Sequence, residues 1–265
     1  TGGIAAVRSN GIPEIVTTGA AITLETTGGI GSATLPLELT GAVAGNPTVI
    51  IGATHLPSRA VVLSGIGDLV VGAVTTNNAP LTLTGVNVDI TDDIGTGTGA
   101  ISITATNNLS LGGTSAIQGG KILLSSGGIL SQAAGVTVSA GASPLELIAG
   151  TFTLSGAPQS LASAGSVIVR PASAGSSMGI GIVRQVNLTQ ADINRFDPTT
   201  TLILGSTTQT GEIAMAGGVN FTNDTIVQVD TTSLATIRVD QGGVTGSGSL
   251  TLNAGLAPVI ISGIG

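Results

Sequence analysis

In "GAISITATNNLSLGG", residues 99–113, two short alternating runs, Ile101 to Thr104 and Leu109 to Leu111, flank the polar pair Asn107–Asn108 and end on Gly112–Gly113. Successive side chains of a strand point to opposite faces, which puts Ile101, Ile103, Leu109 and Leu111 on one side and the hydroxyls on the other. Asn and Gly supply the side-chain-to-backbone hydrogen bonds and positive φ angles that a sharp corner demands. The stretch reads as strand, corner, strand, with an aliphatic interior and a hydroxyl-rich exterior.

The same unit recurs along the chain. Alternating segments begin at Val61 (VVLS), Leu81 (LTLT), Ile101 (ISIT), Ile122 (ILLS), Leu145 (LELI) and Val167 (VIVR), so successive steps are 20, 20, 21, 23 and 22 residues. Further strand-like pieces lie between them at 108–113, 136–141 and 151–156. Such spacing predicts an all-β solenoid whose coils of about 20–23 residues each add a rung to one continuous sheet. Residues 1–265 then form a single segment of roughly 12 coils, on the order of 55 Å long at about 4.8 Å per rung, with no second domain.

Composition agrees with that reading and removes several functions. Of 265 residues 42 are Gly and 42% are apolar, mean hydropathy is +0.56, and Phe152, Phe196 and Phe221 are the only aromatics. This is too apolar for a disordered chain, and Val, Ile, Leu and Ala beside Gly favour strands joined by tight turns. A compact enzyme domain rarely dispenses with large aromatics. A net charge of −7, a pI near 4.3 and the lack of any basic run argue against a nucleic-acid surface. Gly, Thr, Ser or Asn interrupts every apolar run before the roughly 18 residues of a membrane helix. Without Cys there are no disulfides, thioesters or catalytic thiols. Lys121, the only lysine, excludes a ladder of Lys–Asn isopeptide bonds.

The coils "LTLTGVNVDIT" (81–91), "GAISITATNNLSLGG" (99–113) and "GGKILLSSGGILS" (119–131) resemble large secreted bacterial exoproteins of the filamentous-haemagglutinin type, exported by two-partner secretion or as autotransporters. A more specific resemblance lies in "VNLTQADINRFDPTTTLILGS" (186–206), a Leu-Thr, acidic, Arg-containing segment leading into a TLxLG strand, as such exoproteins carry between coils. The resemblance implies a right-handed parallel β-helix, a secreted or cell-surface location, and service as a structural and adhesive rod rather than an enzyme. The Asn-Pro-rich motifs of the family's secretion domain are not visible, so the chain corresponds to shaft. A host or matrix glycan or protein is the implied partner.

The segment 186–198 also stands out by counting. From Val167 the next equivalent strand begins at Leu202, a step of 35 residues, about 14 beyond the usual coil. Thr189 with Asp192 three residues on has the pattern of a capping box, and Pro198 ends the run. A helical insertion near 188–196, within 185–198, is predicted, with Leu188, Ile193 and Phe196 on an inward face as a flap over one flank. The competing reading is a recognition element for a partner or glycan.

Chemistry-bearing groups are sparse. Asp89, Asp92 and Asp93 in "DITDDIG" are the candidate Ca²⁺ ligands, set against a solvated turn. They are also the best candidate carboxylates for a β-helix polysaccharide lyase or hydrolase, yet no basic partner lies near in sequence. Asp68 in "GIGDLVV" matches half of a Ca²⁺-binding Gly/Asp nonapeptide, once only. His55, the only histidine, reads as a loop residue rather than a triad member or metal ligand. Asn108, Asn187, Asn220 and Asn223 begin Asn-x-Ser/Thr sequons. No cofactor beyond that Ca²⁺ is expected. A glycan-binding groove along one sheet is the alternative function, although Trp and Tyr platforms for sugar rings are missing.

The two ends, "TGGIAAV" and "LAPVIISGIG", carry none of the charge that normally covers an open solenoid terminus. Either the chain continues in a longer exoprotein, or copies stack end to end through Ile4, Val259, Ile260 and Ile261.

Overall fold

The computed structural model describes residues 2–6, 12–17, 21–41 and 48–262. It is a parallel β-solenoid. Eleven strands, from Ile15–Thr17 to Leu250–Asn253, form one continuous parallel sheet, against the roughly 12 rungs expected from the spacing. Val61, Leu81, Ile101, Ile122, Leu145, Val167 and Leu202 are successive partners across it, so the sequence spacing is the coil length.

Each regular coil has three sides. Leu81–Gly85 runs along the first, Val88–Ile90 along the second and Ile94–Gly95 along the third, before Ile101–Ala105 returns to the first. The strand Leu69–Thr75 spans the corner between the second and third sides. Its first half pairs with Val88–Ile90 and its second half with Ile94–Gly95. Inward columns are aliphatic: Leu81, Leu83, Ile101, Ile103, Ile122 and Leu124 are all at most 1% exposed.

The outward face departs from expectation. It is hydroxyl-rich at Thr82, Thr84, Ser102 and Thr104, but the column that starts with Thr82 and Ser102 continues through Leu123, Glu146, Ile168, Ile203 and Ile226. Residues of one column lie a rung apart, at about 4.8 Å, so stacked isoleucines shield one another without a covering layer. These aliphatics are accordingly half-buried.

Corners are held by side chains that reach one coil along. Asp68 Oδ1 accepts the Asn87 side-chain N–H at 2.7 Å, and Asn87 Oδ1 accepts from Asn107 at 3.0 Å and from the Asn108 backbone at 3.2 Å. Asn108 Oδ1 then accepts the Ile129 N–H at 3.0 Å. The column satisfies amides that the corner removes from the ladder.

One coil is irregular. After Ser166–Pro171 the chain forms Met178–Ile180 on the second side, turns through residues 181–185, and returns as Val186–Leu188 in parallel with it. The returning strand is the edge of a sheet that continues through Met178–Ile180, Ile213–Met215, Ile237–Val239 and Val259–Ile261. Its other edge lies against Thr151–Leu154, the last second-side strand before the irregular coil, but no ladder joins the two. The turn folds over Gly179, where a Cβ would overlap the Ile182 carbonyl.

The third side of this coil is the helix Gln190–Ile193 followed by Phe196. Thr189 and Asp192 form the capping box that the spacing predicted. The Leu161 N–H donates to the Arg195 carbonyl at 2.9 Å, and the Asp197 N–H donates to the Leu161 carbonyl at 3.0 Å. On the opposite edge the Gln190 side chain accepts the Asn220 N–H at 2.7 Å and donates to its carbonyl at 3.0 Å. Leu188, Ile193 and Phe196 are each 1% exposed and belong to the common core. The segment is thus a wall of its own coil, between Leu161–Ser163 and Val219–Phe221, rather than a flap over a finished one. Phe152 lies on the strand facing Val186–Leu188, and Phe221 on the strand after the helix; both are buried. All three aromatics therefore sit where stacking of small aliphatics is broken.

Candidate functional site

The departure from the repeat creates a cleft of about 620 Å³ between the 181–185 turn and Gly217–Gly218. Ile182, Val183, Leu188 and Val219 give it an apolar lining, and Asn187 and Thr189 add polar groups. Gly217 and Gly218, at φ +73° and +69°, let the backbone make a corner that other residues disfavour. Asn187 Oδ1 accepts the Arg184 N–H, and the Thr189 hydroxyl donates to Asp192 at 2.7 Å. No carboxylate, histidine or lysine lines the cleft. Arg184 directs its guanidinium to the Val183 carbonyl, 2.9 Å, and to Glu212, 3.6 Å. The arrangement offers shape, apolar contact and neutral hydrogen-bonding groups, suited to an uncharged ligand.

Beside the cleft, Glu212 bridges Arg184 and Arg238, the latter at 3.2 Å, and Arg238 also pairs with Asp240 at 2.7 Å. These groups are partly exposed, so the network fixes side-chain positions more than it stabilises the fold.

The candidate Ca²⁺ ligands do not converge. Asp89 faces outward from Val88–Ile90, level with Ser110. Asp92 accepts the Asp93 N–H at 2.8 Å, and Asp93 accepts the Ala116 N–H one coil along at 2.7 Å. Among the described residues no group of three or more His, Cys, Asp or Glu is placed to hold a metal. Strand alternation and corner bonding account for both outcomes. Asp68 serves as the corner acceptor described above.

His55 is an exposed loop residue, with Nδ1 2.9 Å from the Thr54 hydroxyl and 3.7 Å from Glu25. The backbone N–H of His55, at 2.7 Å, with that of Thr54, holds the Glu25 carboxyl below its ordinary range. Of the sequons, Asn223 is fully buried and donates to the Asp197 and Thr200 carbonyls, which leaves no room for a glycan in the folded chain. Asn187 lies in the cleft, Asn108 is a corner acceptor and Asn220 is exposed.

Ile260 and Ile261 are 40% and 58% exposed, while Val259 and Ile4 are half-buried. Residues 1, 7 and 263–265 of the two quoted ends lie outside the described residues.

Sequence reading missed the Gln190–Asn220 link, which joins residues 30 apart whose proximity only the fold creates, and the local contact of Gly179 with the Ile182 carbonyl. It also missed Asp197 and Asp230, for which a signal existed. In Asp197-Pro198-Thr199 and Asp230-Thr231-Thr232 the carboxylate accepts both the N–H and the O–H of the residue two positions on, at 2.7–2.8 Å. These hydroxyl and amide donors hold both carboxyls below the ordinary range.

The chain is matched by no family model, no curated protein and no solved structure.

Proposed function

We propose that this protein is a shaft segment of a bacterial extracellular or cell-surface exoprotein of filamentous-haemagglutinin type, in which the rod spans distance and mediates attachment. The eleven-rung parallel sheet over one aliphatic core carries this reading, because a solenoid converts backbone pairing directly into length. Only seven Lys and Arg leave few sites for trypsin-like proteases. The resemblance in sequence supports the bacterial and surface-exposed setting. Electron microscopy of the native assembly should show a thin extended fibre at the cell exterior, and beads coated with the protein should attach to host cells or matrix. A cytoplasmic location, or beads that adhere no better than albumin-coated ones, would count against it.

The cleft supports a second reading, a glycan-binding module, through its neutral polar groups beside an apolar wall. A glycan array should then detect binding that is lost in Val183→Asp. Retained binding would move the site elsewhere. Self-association belongs to the first reading: exposed Ile260 and Ile261 would be covered by further coils of the same chain or by a second copy. Lys at both positions should suppress concentration-dependent association in sedimentation.

A further inference from the structure

Rungs are unevenly distributed around the irregular coil. Between Leu145–Ala149 and Thr201–Gly205 the first side holds one strand, Ser166–Pro171. Between Thr151–Leu154 and Ile213–Met215 the second side holds two, Val186–Leu188 and Met178–Ile180. The third side holds only the Phe196 rung between Leu161–Ser163 and Val219–Phe221. One side is therefore taller by a rung, about 4.8 Å, and a ladder cannot remain in register on all three. The break falls between Thr151–Leu154 and Val186–Leu188, which face each other without a ladder.

Backbone direction identifies the groups along this break. The Thr151 and Ser155 N–H groups donate backward to Gly128 and Gln132, so by alternation those of Phe152 and Leu154 point into the break. On the far edge the Val186 N–H donates to Ser177 and the Leu188 carbonyl accepts from Gly181, which turns Asn187 toward the break. The apolar side chains of Phe152, Leu154, Val186 and Leu188, all in the core, hold the two edges together. The other two sides are tied: the first by a continuous ladder, the third by the Leu161–Phe196 bridge.

We infer that this coil is a hinge, on which the two halves of the rod rock about the tied first and third sides while the second side opens and closes. Apolar contact is short-ranged but not directional, so a small opening there breaks no ladder bonds. Opening on either tied side would break several.

Hydrogen–deuterium exchange on the whole protein, resolved by residue, tests this. Amides of Phe152, Leu154 and Asn187 should exchange roughly tenfold or more faster than those of Leu130 and Leu109, which occupy the Phe152 column one and two coils back. Amides of Leu161 and Asp197 should stay slow. Equal protection at the break and in the ladder would overturn the hinge. Fast exchange at Leu161 and Asp197 as well would also overturn it, because the coil would then be unfolding locally. A Thr153→Cys, Asn187→Cys pair, in a chain otherwise free of cysteine, should bring the break to ladder protection when oxidised and release it with dithiothreitol. Unchanged exchange in the closed disulfide would equally sink the proposal.

Discussion

At the scale of single residues, polar side chains determine where this backbone turns. Asn223 is fully buried and its amide serves two carbonyls, those of Asp197 and Thr200. Replacing it with Leu leaves the Thr200 carbonyl unpaired, while the Asp197 carbonyl keeps the Thr200 N–H, at a cost of about 1–3 kcal/mol, read as a lower denaturation midpoint with the β-sheet circular dichroism retained below it. Gly179→Ala drives a methyl into the Ile182 carbonyl and should cost about 1–3 kcal/mol, whereas Gly95→Ala, where the space is open, should be nearly neutral. Acid sensitivity follows from Glu25, Asp197, Asp224 and Asp230, each held below its ordinary range by backbone and hydroxyl donors. A carboxyl whose pKa is lower folded than unfolded contributes stability that is fully present above the unfolded value. That contribution is lost as pH falls through the folded one. Thermal midpoints should therefore be level above about pH 5 and decline below the ordinary Asp value of 3.8. A rise on acidification would contradict the assignment. The Asp-x-Thr pattern behind two of these groups is visible in sequence. The Gln190–Asn220 pair is not, because nothing local links residues 30 apart.

Among the elements, the helix Gln190–Ile193 is too short to be stable alone and persists because it closes a core. Phe196→Ala should cost about 3–5 kcal/mol, far more than the roughly 1 kcal/mol expected for Thr189→Ala at the cap. Chemical denaturation of the two variants compares them directly. Deleting 185–198 removes one wall of a coil. Protection of the strands near Leu161 and Val219 should be lost while those around Ile101 remain protected, because solenoid coils touch mainly their neighbours. Global loss of protection would show that the coils do not behave independently. The helix was legible from Thr189, Asp192 and the 35-residue step. The doubled strand was not: "MGI" is buried at all three positions and shows no alternation, and parallel strands ordinarily need a connection of about a dozen residues, whereas five lie between Ile180 and Val186.

For the whole molecule, the ladder register followed from spacing alone, since each segment from Val61 to Leu202 proved to be the direct partner of the next. The exterior did not, because outward positions on a solenoid accept either hydroxyls or mutually shielding isoleucines. Eleven rungs at about 4.8 Å make a body roughly 50 Å long. Small-angle scattering should give an elongated profile, and circular dichroism a spectrum with little helix. A spherical scattering profile would contradict the fold. Thermal unfolding should be broad, with separate loss of the two sides of the irregular coil, rather than a single two-state step.

The gathering of Phe152, Phe196 and Phe221 around one coil gives the molecule a built-in reporter. A chain grown on fluorinated phenylalanine has three fluorine nuclei in 265 residues, and every signal comes from the same few rungs. Fluorine resonance would watch that coil under load, acid or ligand, with the remainder of the rod silent.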